Sequence, residues 1–195
     1  MLEGMYHNNP VKKEICGSEE SISRITPEIL YKCCEDFYTP SNMVLCVSGR
    51  LSPEKVLEIV DRTLEGKSAE VPKAVGFSEP YEVVTPYVKR EMPVGKPIFA
   101  IGIKDCNIPR DPRERYKRAE TANILLNAMF SEAGDFYLRM LESGLLSPGF
   151  DVGYSSNEKT AYVMMTGESD NPEMLLCEIK KHISKSIEEG ICKDD

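Results

Sequence analysis

The chain contains 195 residues, of which 41% are hydrophobic and 29% are charged, and its formal net charge is −8. These proportions are typical of a globular protein with one large domain or two modest ones. The negative charge excludes the basic footprint of a nucleic-acid-binding protein. No apolar run approaches the ~20 residues that span a membrane, and the first ten residues lack the basic and apolar regions of a signal peptide.

Cysteine usage indicates a reducing compartment. The sequence has no C-x-x-C pair, and Cys33 and Cys34 are adjacent, which suits neither a zinc knuckle nor an ordinary disulfide. Several cysteines fall in strongly periodic segments, where a free thiol behaves as a small buried hydrophobe. We therefore predict a reduced, cytoplasmic chain. The seven cysteines are Cys16, Cys33, Cys34, Cys46, Cys106, Cys177 and Cys192.

Helix signals dominate the first third of the chain. Residues 18–25 predict a single helical turn, and Thr26-Pro27-Glu28 predicts a helix start with proline at the first position and an acidic first turn. Ser52-Pro53-Glu54 begins another helix in the same way. Between them, Thr39-Pro40 ends the first helix, and the β-favouring run 42–48 predicts a buried strand. The predicted inward residues are Ile29, Leu30, Cys33, Cys34 and Phe37 in the first helix, and Val56, Leu57, Val60 and Leu64 in the second.

The amino-acid composition changes in the middle of the chain. Prolines and glycines punctuate residues 66–97, which predicts a linker with an edge strand and extended pieces at 81–85 and 87–90. A new strand is predicted at 99–104. Asp111-Pro112-Arg113-Glu114 then opens a helix that runs to about Phe130, because it has the pattern of a capping box.

The last third predicts a helix, a hairpin and a final helix. The helix covers 135–143 and stops at Gly144, and alternating segments at 149–155 and 159–167 predict an antiparallel hairpin. Asn171-Pro172-Glu173 starts the last helix. Because strands are interrupted by paired helices without βαβ alternation, the pattern favours an α+β fold. The predicted inward residues of the last helix are Leu175, Ile179, Ile183 and Ile187.

Gly49 follows the first predicted strand and precedes a helix, which is the outline of a phosphate-binding turn. A P-loop requires G-x-x-x-x-G-K-[ST], and a dinucleotide fold requires G-x-G-x-x-G. Here Arg50-Leu51-Ser52-Pro53 follows Gly49, and Pro53 lacks an amide proton that would face a phosphate. We therefore interpret Gly49 as a structural turn.

Metal and nucleophile chemistry have no local signature in this sequence. Only two histidines are present, and neither has a nearby histidine or an H-x-x-E-H partner. We expect His7 in a surface loop and His182 packed or half-exposed at the edge of the last helix. No G-x-S-x-G elbow is present. The residues alone therefore predict no catalytic and no metal-binding residue.

Three stretches carry motifs in a fixed order: MYHNNPVKKEICGSEESI (5–22), ITPEILYKCCEDFYTPSNMVLCVSGRL (25–51) and FYLRMLESGLLSPGFDVGY (136–154). The first has an Asn-Pro segment before a glycine. The second has a helix that ends in aromatic-Tyr-x-Pro before Asn-Met. The third has a Phe-Tyr-x-Arg stretch before Gly-Leu. Together they resemble the pitrilysin/insulinase family of zinc metallopeptidases, and most closely its bacterial branch related to mitochondrial processing peptidase.

The resemblance implies an α+β fold of processing-peptidase type, with helices packed on mixed or antiparallel sheets in two partial domains. It implies the C-terminal part of one family domain at 1–75, a linker and edge strand at 76–97, and the N-terminal part of the next domain at 98–195. The family's H-x-x-E-H motif and its downstream glutamate cannot be placed on this sequence. Zinc is therefore expected in a longer parent protein, upstream of this chain, and the peptide-binding residues stay unknown.

Three hypotheses about function follow. The chain is a non-catalytic segment of a zinc-dependent peptidase and forms part of the wall of a peptide chamber. Alternatively, it belongs to a catalytically inactive family member that serves as a structural or substrate-holding subunit, or it is an unrelated α+β ligand-binding or regulatory module. For the first two, the expected partners are a peptide or unfolded protein, and the missing family domains or a homologous subunit. Self-association of the chain through uncovered apolar faces is also expected.

Overall fold

The computed structural model describes residues 1–64, 73 and 75–191. The chain divides into two compact units, one formed by Met1–Lys13 with Phe77–Asp195 and the other by Glu14–Gly76. We call the first the sheet unit and the second the helical unit. The domain boundaries that the family resemblance implies, near residues 75 and 97, stay a prediction.

The sheet unit contains one antiparallel sheet and four of the helices. Its strands are β1 (Ile98–Lys104), β2 (Asp151–Ser156) and β3 (Ala161–Glu168), and its helices are α1 (Leu2–Met5), α5 (Pro112–Phe130), α6 (Asp135–Glu142) and α7 (Pro172–Glu189). The strand order is β1-β3-β2. The predicted strand at 99–104 and the predicted hairpin are therefore confirmed, and β3 is the central strand of the sheet.

Capping side chains start the long helices at the predicted places. The Asp111 carboxylate accepts hydrogen bonds from the backbone amides of Arg113 and Glu114, at 2.9 and 3.0 Å. The Asn171 side-chain oxygen accepts one from the Met174 amide at 3.1 Å. These bonds satisfy amides that have no partner within the helix. A proline at the first position of each helix loses no hydrogen bond, since its amide would have been unpaired.

One core lies between the sheet and helices α5, α6 and α7. Phe130 contacts Phe136 edge-on, with ring centroids 5.3 Å apart, and Met165 of β3 and Leu175 of α7 are fully buried. The motif that carries the family resemblance in the third stretch therefore serves packing, because Phe136 lies in this core. Ile187, predicted to face inward, is 78% exposed, so the predicted face of α7 is wrong at its last turn. The core consists of Phe99, Leu126, Met129, Phe130, Phe136, Tyr137, Met140, Leu146, Phe150, Met165, Leu175 and Ile179.

The helical unit contains α2 (Glu19–Ser23), α3 (Pro27–Phe37) and α4 (Pro53–Leu64). Ser18 and Ser21 form a reciprocal capping box at α2, and the Thr26 hydroxyl accepts from the Ile29 amide at α3. The predicted helix starts are confirmed. The predicted burial of their apolar faces is wrong, because neither α3 nor α4 has a buried residue.

The buried strand predicted at 42–48 is also wrong. No strand is assigned between 43 and 48, and Val44, Leu45 and Val47 are exposed. A strand requires a neighbouring strand to accept and donate its ladder hydrogen bonds. None of the residues that the structure describes in this unit supplies one. Likewise, no strand is assigned in the predicted linker at 81–85 or 87–90, and the part of the linker region at 65–72 and 74 lies outside the described residues.

The predicted α+β class is confirmed by the helices and the antiparallel sheet. The described cysteines are free thiols. The expectation that cysteines are buried as small hydrophobic residues is not met at Cys16, Cys33, Cys34, Cys46 and Cys177, which are exposed. Among the described helices, none combines the length and the apolar character needed to cross a bilayer.

Candidate functional site

The described residues do not fit a zinc site. No group of three or more His, Cys, Asp or Glu side chains in residues 1–64, 73 and 75–191 could hold a metal ion. The two histidines have separate environments. His182 is half-buried, as predicted, and stacks on Phe136 with ring centroids 4.7 Å apart, while its Nε2 lies 2.9 Å from the Met129 carbonyl oxygen. No catalytic step through a metal can therefore be derived from these residues.

His182 lines a groove of about 370 Å³ formed by α7 and the ends of α5 and α6. The charges along this groove are mixed. Lys181 lies 2.6 Å from Glu178, and Lys185 lies 3.7 Å from Glu189. Because each of these ammonium groups already has a carboxylate on its own helix, the groove has no single charge that would select a ligand.

A second polar cluster lies where residues 5–9 meet the end of β1. Backbone amides of His7, Asn8 and Asn9 donate to the Glu79 carboxylate at 2.6, 2.9 and 3.0 Å. The Asn8 side-chain amide also donates to the Ser78 carbonyl at 2.8 Å. His7 is half-buried, and its Nε2 is buried without a hydrogen bond to any described residue. The prediction of a surface histidine at position 7 is therefore wrong.

Lys104, the last residue of β1, supplies the positive charge of this cluster. Its Nζ lies 3.1 Å from Glu79 Oε1 and donates to the carbonyl oxygens of Met5, Pro80 and Glu82 at 3.2, 2.7 and 3.3 Å. It also lies 4.9 Å from the centre of the Tyr6 ring. The Lys104 and Glu79 side chains are only 5% and 12% exposed, so water screens this ion pair far less than a surface pair.

Charge and burial shift two pKa values in this cluster. Burial opposes ionisation of Glu79, but the bonds from the His7 and Asn8 amides, the Lys104 ammonium and the Asn9 amide outweigh it and lower the pKa to about 2. Burial, together with nearby Tyr162, raises the pKa of Tyr6 to about 12. Tyr6 is therefore a neutral hydroxyl that donates to the Ala161 carbonyl at 3.2 Å.

A third cluster joins the sheet to α5. Asp105 accepts from Arg118 Nε at 2.8 Å and from the Tyr154 hydroxyl at 2.7 Å. Burial opposes ionisation of Asp105, but the bonds from Arg118, the Asn107 amide and Tyr154 hold its pKa below the ordinary value. Asp105 thus connects Tyr154 of β2 to Arg118 of α5.

One edge of the sheet is covered by a helix. The Tyr154 amide of β2 points away from β3 and donates to the Asn123 side-chain oxygen of α5 at 2.9 Å. Because bonded positions alternate along a strand, β2 bonds to β3 through Asp151, Gly153 and Ser155. A polar side chain of α5 thus satisfies an edge amide that would otherwise lack a ladder partner. This arrangement protects the β2 edge against a further strand.

The other edge, along β1, has no backbone partner among the described residues, although the Met1 and Met5 side chains lie against Gly102. Ser169 N donates to Pro97 O and Asp105 N donates to Ala161 O, so positions 97 and 105 face β3. Because bonded positions alternate, the backbone groups of Ile98, Ala100 and Gly102 point away from β3. No backbone group within the described ranges bonds to this edge. The edge therefore offers a row of donors and acceptors to an added strand.

Gly49 lies in a bend before a helix, as predicted, but no strand is assigned to the residues that precede it. Its φ of 150° lies in the region that favours glycine, and an added Cβ would meet only the Leu51 side chain at ordinary contact distance. The helix begins at Pro53, which has no amide proton to donate.

Comparison with known proteins gives consistent matches. The family described as Peptidase M16 inactive domain matches residues 24–195. The chain is 30% identical over 192 residues to YmfH of Bacillus subtilis (strain 168), described as an uncharacterized zinc protease, and covers 45% of it. It is also similar, with a TM-score of 0.82 and 30% identity, to the crystal structure of an M16-like peptidase from Alicyclobacillus acidocaldarius, of which it covers 46%.

These matches extend over 96% and 99% of this chain, whereas the chain spans about half the length of either relative. They confirm the resemblance drawn from the three sequence stretches, and they exclude the hypothesis of an unrelated module. On the match of residues 24–195, the chain belongs to the M16 peptidase family, in its inactive domain.

Proposed function

We propose that the chain forms a non-catalytic part of a zinc-dependent peptidase of the pitrilysin/insulinase type and contributes to the wall of its peptide-binding chamber. The observation that carries the proposal is the match of residues 24–195 to the family's inactive domain. In this proposal the zinc ligands belong to a part of the longer protein upstream of this chain. The similarity to a protein described as a zinc protease supports zinc there.

The β1 edge is the place where a peptide would bind. An extended peptide can pair with the outward backbone groups of Ile98, Ala100 and Gly102 without displacing β3. Main-chain pairing of this kind tolerates many sequences, which suits a peptidase that handles unfolded segments. The covered β2 edge supports the choice of β1, because Asn123 already occupies the Tyr154 amide.

Activity assays test the first part of the proposal. Purified chain incubated with zinc and an unstructured peptide is expected to show no hydrolysis that a chelator abolishes. Stoichiometric zinc binding together with chelator-sensitive cleavage would falsify the proposal that this chain is the non-catalytic part.

Amide exchange tests the peptide site. An unstructured peptide should slow exchange of the Ala100 and Gly102 amides, and the A100P variant should lose this protection. Proline at position 100 removes an outward donor but no bond to β3. Proline at position 101 is the contrasting control. The Ile101 amide faces β3, so its loss should weaken the sheet itself. Peptide binding that A100P leaves unchanged would place the peptide elsewhere.

A catalytically inactive family member that holds substrate for an active partner is the second candidate. The description of the matching family as an inactive domain favours it. The sequence upstream of Met1 in the longer protein distinguishes the two candidates, because only an active parent carries H-x-x-E-H there. The proposal includes two kinds of partner, which are a peptide substrate and the remaining family domains or a homologous subunit. It also includes a cytoplasmic location.

A further inference from the structure

The Glu79 carboxylate is held in the way that proteins hold bound anions. Three successive backbone amides, those of residues 7–9, converge on its two oxygens within 3.0 Å. Successive amides that point into one concavity form an anion-binding site without any side chain. The Lys104 ammonium at 3.1 Å adds a full positive charge, and charge-assisted bonds of this kind are about twice as strong as neutral ones.

This contact joins two segments that lie on either side of the helical unit in the sequence. Residues 7–9 precede the helical unit, Glu79 follows it, and all four residues belong to the sheet unit. The contact therefore joins the point where the chain leaves the sheet unit to the point where it returns. The bond from the Asn8 side chain to the Ser78 carbonyl reinforces the same junction.

We propose that residues 7–9 and Lys104 form a carboxylate-binding site whose ligand is the chain's own Glu79, and that this contact is a latch. The latch holds together residues 7–9, where the chain leaves the sheet unit, and Glu79, where it returns. This inference does not depend on the peptidase assignment, since it uses only contacts within the sheet unit.

Burial explains why a carboxylate is required at this place. The Lys104 side chain is 5% exposed, and carbonyl oxygens of Met5, Pro80 and Glu82 accept from its ammonium without neutralising it. Removing the Glu79 carboxylate leaves a buried cation and three amides without their acceptor, which is strongly unfavourable. A small carboxylate from solution should therefore enter the vacated site.

The test uses the full chain with Glu79→Ala. Amide exchange of His7, Asn8 and Asn9 is expected to become at least about tenfold faster, because an acceptor shared by all three amides is gone. Acetate should restore slow exchange, and chloride at equal ionic strength should not. Glu82→Ala is the matched control, since Lys104 contacts the backbone carbonyl of Glu82, which the substitution keeps.

Three outcomes overturn the proposal. They are unchanged exchange in Glu79→Ala, equal acceleration in Glu82→Ala, and equal protection by acetate and chloride. If Glu79→Ala does not fold, Glu79→Gln is measured instead, because it keeps the shape and removes the charge. Accelerated exchange at residues 7–9 in Glu79→Gln then supports the latch, and exchange as slow as in the parent chain refutes it.

Discussion

Asn123 of α5 contacts the β2 edge directly, because its side-chain oxygen accepts from the Tyr154 amide at 2.9 Å. Replacing Asn123 by alanine removes this acceptor and leaves a part-buried amide unsatisfied. A lost hydrogen bond of this kind costs about 1–2 kcal/mol of the free energy of unfolding. For a unit of this size the melting temperature should fall by about 3–8 °C.

Asn127→Ala is the matched control for this prediction. Asn127 lies one turn later on α5 and is exposed, and its side chain donates to the Asn123 backbone carbonyl within the helix. Both substitutions gain the same helix propensity, so the difference between the two variants reports the edge bond alone. Asn123→Asp keeps an oxygen acceptor and is expected to retain most of the stability.

Hydrogen exchange is the suitable assay, because the chain has two units and a single melting curve could combine them. Exchange of the β3 amides gives the opening free energy of the sheet unit, and exchange of the Tyr154 amide reports the edge directly. Equal stability of Asn123→Ala and Asn127→Ala would show that the edge bond does not stabilise the sheet unit. Exchange of the Tyr154 amide as slow in Asn123→Ala as in the parent chain would show the same.

Two further predictions concern packing. Leu175→Ala should lower the free energy of unfolding of the sheet unit by about 2–5 kcal/mol, because Leu175 is fully buried in the core. Ile187→Ala, on the same helix but 78% exposed, should change it by less than about 0.5 kcal/mol, and equal effects in chemical denaturation would contradict the assigned core. The exposed apolar residues of the helical unit, among them Leu30, Leu45 and Leu57, predict concentration-dependent self-association. Light scattering that gives a monomer mass over a wide concentration range would count against it.

Local signals in the sequence were sufficient for the helices. Thr26, Asp111 and Asn171 each accept from backbone amides at the start of a helix, as their positions before proline indicated. The hairpin followed from alternation in the same way. These features depend on residues within a few positions of one another, so the sequence contains all the information that they need.

Burial and strand pairing were harder to predict. The run 42–48 has the composition of a strand, but composition cannot supply the neighbouring strand that completes a ladder. Helix α3 has the predicted apolar stripe. Such a stripe indicates only that another element can pack on the helix, and not that this element is present among the described residues.

The polar clusters had no signal in the sequence. Glu79 is 70 residues from Asn9 and stood in a region predicted as linker, and nothing in its neighbourhood distinguishes it from the other carboxylates. Contacts over such distances are made only when the chain folds back, because they depend on the path of the backbone rather than on local preference.

The helix starts, the hairpin, the α+β class and, through three ordered motifs, the family could all be predicted from the amino-acid sequence. Only the folded chain shows which apolar faces are buried, which edge of the sheet lacks a backbone partner among the described residues, and how the Glu79 and Asp105 carboxylates are bound. The difference lies in how far apart in the sequence the interacting residues are. Caps and turns are short-range interactions, whereas edges, cores and buried ion pairs exist only between segments that folding brings together.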